Sequence, residues 1–330
     1  MRQNKITTER YWQVFVEVDT SISEAQATQT FEQLFQKSIQ RRLRSDVSIG
    51  TSLSGGLDSS AIVAFCSREE SLHYTHRCFT ASFAGFDKDE TAHAAQVAKQ
   101  FGLQHLTTTI DEHEVVDLMQ TVSAQQEEPF LSASVLVQYK VFELAKQHGV
   151  TVLLDGQGAD EILGGYHKYY KWWWQELYRQ KQLRKSGELR AARALGVKEP
   201  FGLHHKLAAL LPEFSASLLQ GRKAKQAFRH PDLNRDFAFE NKRNLYYSTP
   251  SSFDLNGALY YNTVVNGLEE LLRFADRNSM AHSVEVRLPF LYHPLVEFLF
   301  TLPPHFKIHQ GWTKWLLRKT MENKLPNEIV

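Results

Sequence analysis

Val47-Ser48-Ile49-Gly50-Thr51-Ser52-Leu53 runs without a break into Ser54-Gly55-Gly56-Leu57-Asp58-Ser59-Ser60. The first stretch is short, largely apolar and ends at glycines, the pattern of a buried strand entering a tight turn. A helix begins near Asp58 and carries Ile62, Val63 and Phe65 over Ser59–Ser67. Glycines in the turn let the backbone approach a ligand closely. The helix start offers unpaired N–H groups and a positive dipole end to an anion. With the hydroxyls of Ser54, Ser59 and Ser60 added, the turn reads as a phosphate cradle. It is not a Walker loop, because no lysine follows the glycines. A bare Asp58 carboxylate would repel a polyphosphate, so it makes sense as a ligand for magnesium shared with the phosphates. The competing structural reading is a helix N-cap.

The same alternation continues outward. Cys78–Phe83, Leu106–Ile110 and Val150–Leu154 read as further strands. Thr91–Phe101 and Ser134–His148 read as helices stopped by Gly102 and Gly149. Strand and helix at this spacing predict an α/β fold, a parallel sheet with helices on both faces. Residues 1–45 read as a leader segment with a helix from about Ser23 to Arg44, and 46–166 as the α/β core. Beyond Tyr166 the strand signal vanishes, so 167–330 reads as a mainly helical part completing the acceptor side of the site. Its aromatic run, Tyr169, Tyr170, Trp172, Trp173 and Trp174, fits packing against the sheet better than a membrane-surface patch. The basic stretch Arg179–Arg193 reads as a solvated helix rather than an RNA-binding face.

The string SGGLDSS resembles the pyrophosphate loop of the ATP-pyrophosphatase superfamily, and in this form that of the asparagine synthetase family. Phe79-Thr80-Ala81-Ser82-Phe83 is similar to the family's adenine-contacting strand, and Glu128-Pro129-Phe130 precedes the long helix as in relatives. Gly156-Gln157-Gly158-Ala159-Asp160-Glu161 with Gly164-Gly165-Tyr166 resembles its second motif. Glu285-Val286-Arg287-Leu288-Pro289-Phe290-Leu291 and Lys314 with Leu317-Arg318 match later signatures. The resemblance implies an adenine-nucleotide alpha-hydrolase-like fold that binds ATP and Mg²⁺. It carries nucleotide contacts onto Leu53, Ser54, Gly55, Gly56, Asp58, Ser59, Ser60, Ala81, Asp155 and Gly156, and metal ligation onto Asp58 and Asp160.

The second glycine turn should lie at the carboxyl edge of the same sheet, where open α/β sheets bind ligands. Asp160 and Glu161 capping the following helix is the structural alternative. Aspartate-amidating relatives usually carry glutamate where this chain has Gln157, and serine where it has Asp155. An amide cannot serve as a general base at neutral pH, though it can hydrogen-bond a substrate. Arg273 and Asp276, with Arg277, sit on a helix over Leu271–Ala281 that in the family faces the acyl acceptor; a surface ion pair is the alternative there. Lys314 is a compact charge suited to an α-phosphate as negative charge builds. Arg287 reads as structural, fixing a loop against the core.

The implied reaction is adenylation of a carboxylate, foremost the aspartate side chain, with release of pyrophosphate, followed by attack of ammonia. An amidotransferase or cyclase acting on a sugar acid or peptide carboxylate is the alternative that Gln157 favours; a non-catalytic nucleotide-binding interaction protein is the third. Relatives draw ammonia from an N-terminal glutaminase that opens on a cysteine after the initiator methionine. Arg2 follows Met1 here and Cys66 is the first cysteine. The glutaminase is therefore expected to be absent from this chain, which would be a fragment or would receive ammonia from another subunit or solution. The early stop at Val330 fits a fragment, and a homodimer is compatible with the family. A formal net charge of +1 supplies no field that would select nucleic acid or an anionic membrane. Two cysteines, Cys66 and Cys78, point to a reducing cytoplasm. Met1–Lys5 lacks a secretory core, and no stretch of eighteen apolar residues spans a membrane.

Overall fold

A computed structural model describes residues 7–69, 75–83, 89–241 and 248–330; Met1–Lys5 therefore lies outside the described residues. Five parallel strands, β1 (Ile49–Ser52), β2 (Arg77–Ser82), β3 (Gln104–Thr109), β4 (Val152–Leu154) and β5 (Glu285–Arg287), stand in the order β3-β2-β1-β4-β5. Alternation along a strand sends side chains to opposite faces. Val152 and Leu154 join the core shared with Ile49, Ile62, Phe65, Phe31 and Phe35. Leu153, between them, joins Phe79, Phe142, Ala145 and Val284 on the other face. Both faces are thus covered by helices, which is why these strands read as continuous apolar runs.

The helix Glu24–Arg42 begins with a capping box in which Ser23 and Gln26 exchange hydrogen bonds. Phe35 on it meets Phe65 at 4.9 Å and Phe290 at 4.6 Å between ring centroids. Each fully buried aromatic contributes roughly 2–3 kcal/mol. Ala27, Phe31, Phe35 and Ile39 of this helix thus belong to the main core. Arg287 ties it down further: its Nη1 donates to the carbonyls of Arg42 at 2.6 Å and Arg44 at 2.9 Å, the loop-fixing role expected of it.

Strand β5 lies within the mainly helical part, where the sequence carried no strand signal. It pairs with β4 through Leu153↔Val286, so the sheet crosses the boundary drawn at 166. Glu285-Val286-Arg287 is a three-residue edge strand with one apolar side chain, too short for a period of two to emerge. Among the described residues, the rest of 167–330 is mainly helical apart from a small hairpin, β6 (Ile308–His309) and β7 (Trp312–Thr313). Tyr169, Tyr170, Trp173 and Trp174 are buried on the helix Lys168–Arg179, as the packing reading required. The basic stretch departs from a single solvated helix. It divides at Gly187 into Leu183–Ser186 and Glu188–Ala194, and Glu188 and Ala192 are buried. No helix among the described residues is long and apolar enough to cross a membrane.

Candidate active site

Because all five strands run the same way, the turns after β1 and β4 emerge side by side at the carboxyl edge. Gly55 adopts φ +89°, and a Cβ there would lie 2.6 Å from the Glu90 carbonyl oxygen, so only glycine fits. Gly56 caps the helix Leu57–Cys66 without a side-chain acceptor for the first-turn N–H groups. Ser54 and Ser59 hold the turn from inside, with their hydroxyls 3.0 Å apart and the Gly56 N–H donating to Ser54 Oγ at 3.2 Å. In the second turn Asp155 Oδ1 accepts from the Gln157 N–H at 3.1 Å. The turns touch: a Cβ on Gly156 would sit 3.2 Å from Asp58 Cβ.

Lys314 joins them. Its Nζ lies 2.5 Å from Asp58 Oδ2 and 2.7 Å from Asp160 Oδ1, with Lys314 and Asp58 largely buried and Asp160 partly exposed. Burial pushes the Asp58 carboxyl up to about 6; Lys314 opposes the shift and Asp160 adds to it. Burial works to lower the Lys314 ammonium, but the two carboxylates outweigh it and hold it above the ordinary lysine range. Asp58 Oδ1 is buried and has no hydrogen-bond partner within the protein. Two hard carboxylates from adjacent turns, one with a free buried oxygen, suit a magnesium ion whose remaining ligands come from phosphates.

A cavity of about 400 Å³ opens beside these groups. Leu53, Ser54, Asp58, Ser59, Ala81, Asp155, Gly156, Gln157 and Asp160 line it. Phe79, Val137, Val141 and Leu271 give it an apolar wall, suited to a planar base. Gly55 and Gly56 shape the turn without lining the cavity, and Ser60 is fully buried. Burial raises the Asp155 carboxyl, opposed by the Gln157 N–H. Gln157 Oε1 is buried with no partner. The structure does not bring Arg273 or Asp276 to the cavity wall. Arg273 pairs with Glu128, Asp276 is exposed, and Arg277 pairs with Glu127 at 2.7 Å. Their helix, Leu268–Ala281, reaches the cavity through Leu271.

Sequence reasoning missed Glu161 and Tyr166 as lining groups. The Tyr166 hydroxyl donates to Glu161 Oε1 at 2.6 Å, and burial raises the Glu161 carboxyl. Both lie within the quoted second motif; a carboxylate buried in a five-residue helix beside a tyrosine was the available signal.

The family model of asparagine synthase matches residues 30–330. Asparagine synthetase [glutamine-hydrolyzing] 1 of Bacillus subtilis is 27% identical over 317 residues, covering 89% of this chain and 46% of that protein. Asparagine synthetase [glutamine-hydrolyzing] 3 of the same organism is 30% identical, covering 97% of this chain and 50% of that protein. The chain thus spans about half the length of these curated relatives. Among solved structures, the U34-tRNA thiolase NcsA of Methanococcus maripaludis aligns with 13% identity and a TM-score of 0.34, over 79% of this chain and 88% of that one.

Proposed function

The chain belongs to the asparagine synthase family, and we propose that it adenylates a carboxylate with ATP and passes the acyl group to ammonia, the aspartate side chain being the foremost acceptor. The observation that carries this reading is the convergence of Lys314 on Asp58 and Asp160, two carboxylates that line the cavity. Phe79, Ala81 and Val141 would hold the base of ATP, and the amides of the Ser54–Ser60 turn would hold its phosphates. A magnesium ion on Asp58 and Asp160 would neutralise charge on the departing pyrophosphate. Lys314 stabilises negative charge on the α-phosphate as the carboxylate attacks, so catalysis is mainly positioning and electrostatics. Leu53, Asp155 and Gly156 hold the nucleotide from the ends of β1 and β4. Arg273 would turn from Glu128 to grip an acceptor carboxylate in a two-pronged bond, with Asp276 beside it. Ammonia would come from a glutaminase domain or subunit.

Gln157 favours a second reading, amide formation on a sugar acid or peptide carboxylate, because its amide recognises but does not deprotonate an amine. Pyrophosphate release from ATP and Mg²⁺, measured against a panel of carboxylates with and without ammonium, tests both. Aspartate-dependent release supports the first, release only with another acid the second, and no release with any of them removes the proposal.

A further inference from the structure

Lys314 stands one residue beyond the β6–β7 hairpin, whose register is Ile308↔Thr313 and His309↔Trp312. Three residues of this segment have left-handed backbones: Gln310 at φ 49°, Gly311 at 78° and Lys314 at 53°. A non-glycine residue in that region is held there only when its surroundings over-determine it. A hairpin of two paired positions cannot supply that constraint alone.

The constraint comes from the basic stretch. Glu188, only 3% exposed, opens the helix Glu188–Ala194 and clasps the turn. Its Oε1 accepts from the Gln310 N–H at 2.8 Å and its Oε2 from the Gly311 N–H at 3.1 Å. His309 Nδ1 lies 3.3 Å from Oε1. From the other side the Tyr170 hydroxyl donates to the Gly311 carbonyl at 2.6 Å. Gly311 is pressed so closely on the next helical turn that a Cβ would meet Ala192 N at 2.5 Å. Burial works to raise the Glu188 carboxyl, yet His309 and the two amides hold it below the ordinary glutamate range. A charged acceptor shared by two backbone donors makes stronger bonds than a neutral one.

We propose that Glu188 is a positioning residue for Lys314: its carboxylate fixes the hairpin turn so that the Lys314 side chain projects into the site beside Asp58 and Asp160. The proposal rests on the adenylation reading given above. Glu188→Gln keeps the volume but sets an NH₂ group against one of the two backbone donors. In single-turnover pyrophosphate release, with rates normalised to titrated nucleotide sites, Glu188→Gln should slow adenylation about 10- to 100-fold. ATP affinity should change less than about threefold, since Lys314 acts on the transition state. Glu188→Asp, which can reach one amide but not both, should fall between and guards against a misfolded Gln variant.

The deciding measurement is the double-mutant cycle with Lys314→Ala. If Glu188 acts through Lys314, Glu188→Gln adds less than about twofold to the loss already caused by Lys314→Ala. Multiplicative losses, or normal rates per titrated site in Glu188→Gln and Glu188→Asp, would overturn the positioning role while leaving the adenylation reading in place. A Lys314→Ala variant that turns over like wild type would instead remove that reading, and the role of Glu188 with it.

Discussion

The Lys314 ammonium lies 2.5 Å from Asp58 Oδ2, although 256 positions separate the two in the chain. Asp160 completes the contact from the turn after β4. A cation held between these two carboxylates stands where the proposed function puts a divalent ion. The same pair of oxygens can therefore serve an ammonium before the nucleotide arrives and a metal once phosphates complete its shell. On the proposed reading, the displaced ammonium would then be free to meet the α-phosphate.

Two changes of opposite sign should follow from Lys314→Met. Adenylation falls about 10²- to 10³-fold, the usual cost of losing one transition-state charge partner. Affinity for Mn²⁺ in the absence of nucleotide rises about tenfold, since a full positive charge has left the carboxylates. Electron paramagnetic resonance of free Mn²⁺ reads the second effect without any turnover. Equal Mn²⁺ affinity in variant and wild type would mean that lysine and metal do not compete.

Gly165 makes room for this contact. A Cβ there would overlap Asp160 Oδ1 and the Lys314 Cε. Because both are side-chain atoms, Gly165→Ala should cost the fold only about 1 kcal/mol, yet shift both the Asp160 carboxylate and the Lys314 chain out of position and lower adenylation about tenfold or more. Thermal melting and pyrophosphate release together check it. A large fall in melting temperature with normal turnover of the surviving protein would contradict it.

What was legible in the chain follows from how local each signal is. The strands β1, β2 and β4 announced themselves because both their faces are buried. The glycine turns did so because close approach leaves few residue choices. Strand β5 was hidden by its three-residue length, and the Glu188 clasp by distance, since nothing at 188 points to the amides of 310 and 311. The pairing of Arg273 with Glu128 was likewise a contact between remote segments. Asp58 and Asp160 were legible as chemistry, but the ammonium between them was not, because a lone lysine at 314 carries no sequence mark of its partners.

Gln157 presents a buried Oε1 with no protein partner, in the cavity and two residues after Asp155. Gln157→Glu would supply a proton acceptor where the amide can only hydrogen-bond. Ammonia-dependent amidation of aspartate should rise about tenfold or more if proton removal from the amine limits the rate. Asparagine formation at fixed ammonium and pH 8 measures it. An unchanged product and rate would count against proton transfer at this position.

Lys307, whose backbone carbonyl accepts from the Trp315 N–H at 3.0 Å beside the β6–β7 hairpin, is fully buried. Its Nζ donates to the Leu302 carbonyl at 2.6 Å. Burial pushes this ammonium down to about 7, with Glu176 pulling the other way. In an unfolded chain lysine titrates near ~10.4. Between those values the unfolded chain holds a proton that the native chain lacks, so stability climbs as pH rises through this window. Below about 7 the native protein also carries the buried charge, and the full penalty is present. Lys307→Met should remove that slope and be more stable than wild type by about 2–3 kcal/mol at pH 6, with the gap closing toward pH 10. The Leu302 carbonyl keeps a donor in Asn256 Nδ2 at 3.0 Å, so no acceptor is stranded. Urea midpoints at pH 6, 7, 8.5 and 10 decide the matter. Parallel pH profiles for the two proteins would show that Lys307 stays charged in the core, and Glu176 would then have to be its ion-pair partner.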